Sequence, residues 1–206
     1  MKKNLFIVIE GIDGSGKSEI VKMLHNHLFS KKKFRLLTTR EPTSGAYGKK
    51  IRKILREEEK PETGKEVLLE LFVKDREEHV SNTIIPFLSS KSEELHIVIC
   101  DRYYYSNIAF QNAQGVPVEE IMSINKKFPK PDAAFILDVP PDIAIKRIGK
   151  RQREKFENSE FMERIRRNFL NMGKFVKDNI ITIDASKEMK TVFENVVEEV
   201  EKMIGD

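Results

Sequence analysis

Eight residues near the N-terminus carry the strongest chemical signal in this chain: Gly11-Ile12-Asp13-Gly14-Ser15-Gly16-Lys17-Ser18. Their spacing is G-x-x-x-x-G-K-[ST] without departure. Glycines here let the backbone take positive φ and approach an anion closely. Successive N–H groups then converge on phosphate oxygens at the start of a helix, where the helix dipole favours negative charge. Lys17 adds a full charge near the β and γ phosphates, and the Ser18 hydroxyl can ligate Mg²⁺. The eight residues imply a nucleoside triphosphate and magnesium. They do not name the group that accepts a phosphoryl. The bland alternative, an ordinary glycine-rich turn, is disfavoured by the apolar run before the loop and the amphipathic pattern after it.

Further residues have chemistry to offer. Asp13 is electrostatically odd beside a triphosphate; as a plain turn former it would cap its own loop. Arg40, in the segment Arg40-Glu41-Pro42-Thr43-Ser44-Gly45, can clamp a phosphate bidentately, although loop arginines are often only solvated. Asp101 and Arg102 follow the apolar run Ile97-Val98-Ile99-Cys100. A carboxylate at the carboxyl end of a parallel strand faces the ligand crevice. Asp101 can hold the Mg²⁺ shell there, through water, and Arg102 can reach between two phosphate groups. The alternative for this pair is a salt bridge at a strand end.

These residues need elements to position them. Leu5 to Ile9 reads as a fully buried strand, continuous in apolar residues rather than alternating. An amphipathic helix opens at Lys17, with Ile20, Val21, Leu24 and Leu28 on one face. Strands are expected over 34–39, 95–100, 133–139 and 180–183. Helices are expected over about 46–57, from a capping box of Thr63 and Glu66 to about Leu88, then over 103–113, 117–127, 141–149, 159–178 and 188–203. Short apolar strands alternating with helices require right-handed crossovers and a parallel sheet covered on both faces. The expectation is one α/β domain over residues 1–206 with five parallel strands.

The chain has 206 residues, near the prior for one domain at roughly 150 residues each, and long enough to bury a core without staples. Thirteen Phe residues argue against disorder. Lys+Arg 37 against Asp+Glu 33 gives +4, a mild, interspersed excess, so nucleic acid is not implied as a partner. The apolar run at 5–9 is too short for a membrane span or a signal-peptide core. A single cysteine, Cys100, excludes an internal disulfide framework and a cysteine-cluster zinc site, and four scattered histidines lack metal-ligand spacing. A cytoplasmic compartment is the simplest expectation.

The run Ile9-Glu10-Gly11-Ile12-Asp13-Gly14-Ser15-Gly16-Lys17-Ser18, then Thr39-Arg40-Glu41-Pro42 and Asp101-Arg102-Tyr103, resembles the thymidylate kinase (dTMP kinase) family in order and spacing. The resemblance extends from Leu5 to about Phe175. It implies a P-loop NTPase fold, ATP and dTMP as ligands, Mg²⁺ as cofactor, and transfer of the γ-phosphoryl of ATP to give ADP and dTDP. The acceptor's second pKa is near 6, so its dianion is already the nucleophile at pH 7 and no general base is needed. Catalysis should rest on positioning and charge neutralisation.

The resemblance also implies roles. Residues Gly11, Ile12, Asp13, Gly14, Ser15, Gly16, Lys17 and Ser18 hold ATP, with Ser18 and Asp101 at the metal. Asp13 accepts from the 3′-hydroxyl of dTMP. Arg40 and Arg52 bind the acceptor phosphate, and Lys17 and Arg102 act on the transferring group. Phe72, Arg76 and His79 fall on one helical face; Phe72 stacks on thymine and Arg76 donates to its O4, while His79 reads as structural. Asn107 reads the base edge and Gln111 lines the same cleft. Phe110 stands where some members have tyrosine, and its bulk can exclude a 2′-hydroxyl. A lid over about 149–157 supplies a catalytic arginine, Arg151 or Arg153; Glu154 and Lys155 replace the family's usual acid and arginine before Phe156-Glu157. A homodimer is implied. The competing readings are a P-loop kinase with a different acceptor, and a nucleotide-switched binding module.

Overall fold

The computed structural model describes residues 4–57, 64–148 and 159–205. Five strands, β1 (Leu5–Glu10), β2 (Phe34–Arg40), β3 (Leu95–Asp101), β4 (Ala133–Asp138) and β5 (Ile180–Asp184), form one sheet in the order β2-β3-β1-β4-β5. Every pairing is parallel. The five strands are those expected from the apolar runs. β1 and β3 are buried along their whole length, as continuous apolar strands covered on both faces must be. β2 and β5, each with one neighbour, are only partly buried.

Helices among the described residues are α1 (Lys17–Ser30), α2 (Ala46–Glu57), α3 (Lys65–His79), α4 (Ile85–Ser89), α5 (Tyr104–Ala113), α6 (Val118–Asn125), α7 (Pro141–Ile148), α8 (Ser159–Leu170), α9 (Met172–Phe175) and α10 (Met189–Ile204). α1 buries Ile20, Val21, Leu24 and Leu28, the face expected from its periodicity. It packs on β1, β2 and β3 and beside α10, whereas α5 packs with α3, α6 and α8. The chain therefore leaves β1 and β3 toward different helix layers, which opens a crevice at their carboxyl ends.

Two helices expected to be continuous are interrupted. The one ending near Leu88 contains a π turn over Val80–Ile84 before α4. Pro86 lacks the N–H that would bond the carbonyl of Asn82, and the wider turn accommodates that loss. The one over 159–178 breaks at Asn171, whose Nδ2 joins its own backbone N–H on the carbonyl of Arg167, at 2.8 and 3.0 Å. Thr63 lies outside the described residues, and α3 opens after Gly64 with no side-chain cap. The expected lid over 149–157, with Arg151 and Arg153, lies outside them as well.

The central β1–β3–β4 layer sets the stability. Ile99→Ala in the fully buried middle of β3 should cost about 2–5 kcal/mol, read as a lower urea midpoint at unchanged slope.

Candidate active site

The loop between β1 and α1 wraps an open space rather than packing on itself. Gly11, Gly14 and Gly16 all have positive φ. At Gly14 the need is also steric: a Cβ there would lie 2.4 Å from the carbonyl oxygen of Ala144 in α7, so a side chain would push the loop from its seat. Lys17 is buried at the start of α1, its Nζ donating to the carbonyls of Gly11 at 2.9 Å and Ile12 at 2.8 Å. Burial, with Arg102 adding to it, pushes the Lys17 ammonium down to about 8, against the pull of Asp13, Asp101 and Glu10.

Parallel pairing places Ile9 opposite Asp101, so the phosphate loop and the residues after β3 emerge side by side. Ser18 Oγ donates to Asp101 Oδ2 at 2.9 Å. The buried Asp101 Oδ1 has no hydrogen-bond partner among the described residues. A hydroxyl beside a buried carboxylate with a free oxygen fits Mg²⁺, which is held by one or two carboxylates plus substrate phosphates and water. No cluster of three His, Cys, Asp or Glu side chains among the described residues could hold a metal without such help.

Arg102 is the pivot. It takes a left-handed backbone, φ 71°, which is strained for a residue with a side chain. Its N–H donates to the carbonyl of Ile9 at 3.0 Å. Its Nη1 donates to Gly11 O at 3.1 Å and to Ser106 Oγ at 3.0 Å, and its Nη2 pairs with Asp13. Partial loss of water raises the half-exposed Asp13 carboxyl, but Arg102 and then Lys17 outweigh it and hold it below the usual range. Arg102 is itself penalised by burial, yet Asp13, Asp101 and Glu10 keep it firmly charged.

Two cavities meet at this pivot. A small one of about 180 Å³ is lined by Gly16, Lys17, Ser18 and Asp101. A cleft of about 1350 Å³ runs between α2, α3, α5 and α8, lined by Arg52, Phe72, His79, Ser106, Phe110 and Phe169 among others. Asp13, Gly14, Arg40 and Arg102 line both.

The remaining expected residues divide into two groups. Phe72 and Phe110 line the cleft. Arg52 lines it too, but its guanidinium donates to the carbonyls of Pro42 at 2.8 Å and Thr43 at 2.6 Å, bracing the loop that carries Arg40. Arg76, Asn107 and Gln111 are buried and absent from the cleft lining. Arg76 meets Glu41 Oε2 through Nε at 2.9 Å and Nη2 at 2.8 Å. Its Nη1 donates to Asn125 Oδ1 at 2.5 Å, with Asn107 Oδ1 at 3.4 Å. Asn107 Nδ2 donates to Gln111 Oε1 at 2.6 Å, and Gln111 Nε2 to the carbonyl of Lys65 at 2.8 Å. His79 bridges Glu41 Oε1 at 3.1 Å and Thr39 Oγ1 at 2.6 Å, which ties this cluster to the cleft wall.

Glu10, Glu41, Ser106 and Asn125 were not singled out from the sequence. Glu10 and Glu41 lie within the runs Ile9–Ser18 and Thr39–Pro42, where they are legible as acids. Ser106 and Asn125 had no local signal, because their partners are distant in sequence.

A family model described as "Thymidylate kinase" matches residues 9–196. A "Probable thymidylate kinase" of Archaeoglobus fulgidus is 38% identical over 203 residues, covering 98% of this chain and 97% of the relative. A "Thymidylate kinase" of Desulfotalea psychrophila is 42% identical over 162 residues, 77% of each chain. One from Leptospira interrogans is 37% identical over 201 residues, covering 96% and 94%.

Two outcomes follow from the geometry. ATP brings negative charge to Lys17 and raises a group that sits at about 8 in the free protein, so binding at pH 8 should take up about half a proton. Affinity should then weaken as pH rises above 8. Calorimetry in buffers of different ionisation enthalpy reads the uptake, and none at pH 8 would count against a buried, titrating Lys17. Arg76→Ala leaves Glu41 buried without its cation and should cost about 3–5 kcal/mol, measured by urea unfolding.

Proposed function

Because the chain belongs to the thymidylate kinase family, we propose that it transfers the γ-phosphoryl of ATP to dTMP, giving ADP and dTDP. The observation that carries this reading is the shared wall: Asp13, Gly14, Arg40 and Arg102 line both the phosphate-loop cavity and the large cleft. A donor triphosphate in the first and an acceptor monophosphate in the second would meet there.

In this reading an oxygen of the acceptor phosphate attacks the γ-phosphorus as the bond to the β-γ bridging oxygen breaks, and ADP leaves with that electron pair. Backbone N–H groups of Gly14, Ser15 and Gly16 with Lys17 orient the donor. Arg102 leaves Asp13 for the phosphates and lowers their mutual repulsion, while Asp13 becomes free to accept from the 3′-hydroxyl. Arg40 holds the acceptor phosphate, supported by the Arg52-braced loop. Phe72 faces thymine across the cleft. Arg76, Asn107 and Gln111 lie beneath the base site, and Arg76 reaches the base edge only if its cluster opens toward the cleft. Mg²⁺, held by Ser18 and through water by Asp101, would neutralise triphosphate charge. Arg151 or Arg153 would supply a further cation. The enzyme would work as a cytoplasmic homodimer. Among the described residues no helix is long and apolar enough to cross a membrane.

An ADP-release assay with dTMP, dUMP, dCMP and thymidine tests the assignment: dTMP should be the best acceptor, and dTMP no better than the others would overturn it. In the same assay Lys17→Ala should lose about 10²–10³ in kcat.

A further inference from the structure

Glu10 is the last residue of β1 and is fully buried, an unusual place for a carboxylate with no direct ion pair among the described residues. Its Oε1 accepts from the N–H of Tyr103 at 2.7 Å and of Ser106 at 3.1 Å; its Oε2 accepts from Ser106 Oγ at 2.5 Å. Tyr103 is the residue that caps α5, and it makes no side-chain cap. In an ordinary capping box, the cap side chain and the third helical residue satisfy these two N–H groups reciprocally. Here one distant carboxylate accepts from both, the Ser106 N–H being shared with the carbonyl of Tyr103 at 3.1 Å, at the helix end where negative charge is favoured.

The third bond reaches further. Ser106 Oγ lies between Glu10 Oε2 and Arg102 Nη1, the latter at 3.0 Å. A carboxylate offers only lone pairs and a guanidinium only protons. With Glu10 ionised, the single hydroxyl proton of Ser106 goes to Glu10 and a lone pair receives Arg102. We propose that Glu10 is a positioning residue for phosphoryl transfer, fixing the Arg102 guanidinium at the junction of the two cavities through the hydroxyl of Ser106. This rests on the reading of Arg102 as the group that bridges donor and acceptor phosphates. Arg102 favours the ionised form: it is the strongest influence lowering a Glu10 carboxyl that burial otherwise pushes up to about 7.

Two variants separate this role from a cap alone. Glu10→Gln keeps a carbonyl oxygen for the two N–H groups but turns an amide donor toward Ser106, so its hydroxyl proton loses its acceptor. Ser106→Ala leaves the charge and the backbone cap in place and removes only the link. Each should lower kcat about 10- to 100-fold, with KM for ATP and dTMP changing by less than about threefold. The double variant should be little worse than the more impaired single one, because both changes cut one chain of contacts. Ser106→Thr, which restores the hydroxyl, should recover most of kcat.

Folded Glu10→Gln and Ser106→Ala proteins with kcat within about twofold of wild type would overturn the proposal and leave Glu10 as a cap. Multiplying losses in the double variant would overturn it too. If Glu10→Gln does not fold, the comparison of Ser106→Ala with Ser106→Thr decides alone. Wild-type failure on dTMP would sink the acceptor assignment and not this inference, which is then read with the best acceptor of the panel.

Discussion

The parallel pairing of β1 with β3 brings together two loops that are about 90 residues apart in the chain. Ile9 stands opposite Asp101, and the N–H of Arg102 closes onto the carbonyl of Ile9. From that contact the phosphate loop departs on one side and Arg102 on the other. The left-handed backbone of Arg102 turns the chain sharply into α5, at a cost of roughly 1–3 kcal/mol. The cost is offset by bonds that only this geometry permits: Gly11, Asp13 and Ser106 around the guanidinium, and Glu10 at the helix start. The strained residue is one of the four that line both cavities.

The site balances its charges internally. Lys17 rests on two loop carbonyls, and Arg102 on Asp13. Both cations are buried enough to gain from an incoming polyanion, yet each has a modest partner to hold it in place beforehand. Asp13 is the one acid in the loop, and its side chain is 56% exposed, so solvent weakens its hold on Arg102. It restrains the arginine without sequestering it. The opposite holds for Arg76, which is buried against Glu41 and two asparagines and sits over the rings of Tyr103 and Phe128. A guanidinium so enclosed first serves the shape of the cleft floor.

An interrupted helix borders the cleft. The π turn at Val80–Ile84 follows His79 directly and turns Asn82 and Thr83 toward the cavity. On the opposite wall Phe110 packs edge-on against Phe161, forming a small apolar cluster with Leu55 and Ile165 apart from the main core. The large cleft thus has an apolar wall of its own, carried in part by α5.

The amino-acid sequence by itself determined the five strands, their parallel arrangement, the phosphate loop and the family. Each of these is written locally, in continuous apolar runs, in glycine spacing, and in short motifs at strand ends. It also marked Asp13, Arg40, Asp101 and Arg102 as residues at strand ends; the sheet order, with β3 between β1 and β2, is what brings them together. Tertiary structure alone decided what each charged group touches. Arg52 was legible as a cation but not as a brace for the Pro42–Thr43 carbonyls. Arg76 was legible as part of a helical face but not as the partner of Asn125. Ser106 carried no signal, since its importance comes from Glu10 on one side and Arg102 on the other. Local periodicity reports which way a side chain leaves its own element; the partner it finds there depends on how separate elements pack, and that is set by the sheet order and the helix layers.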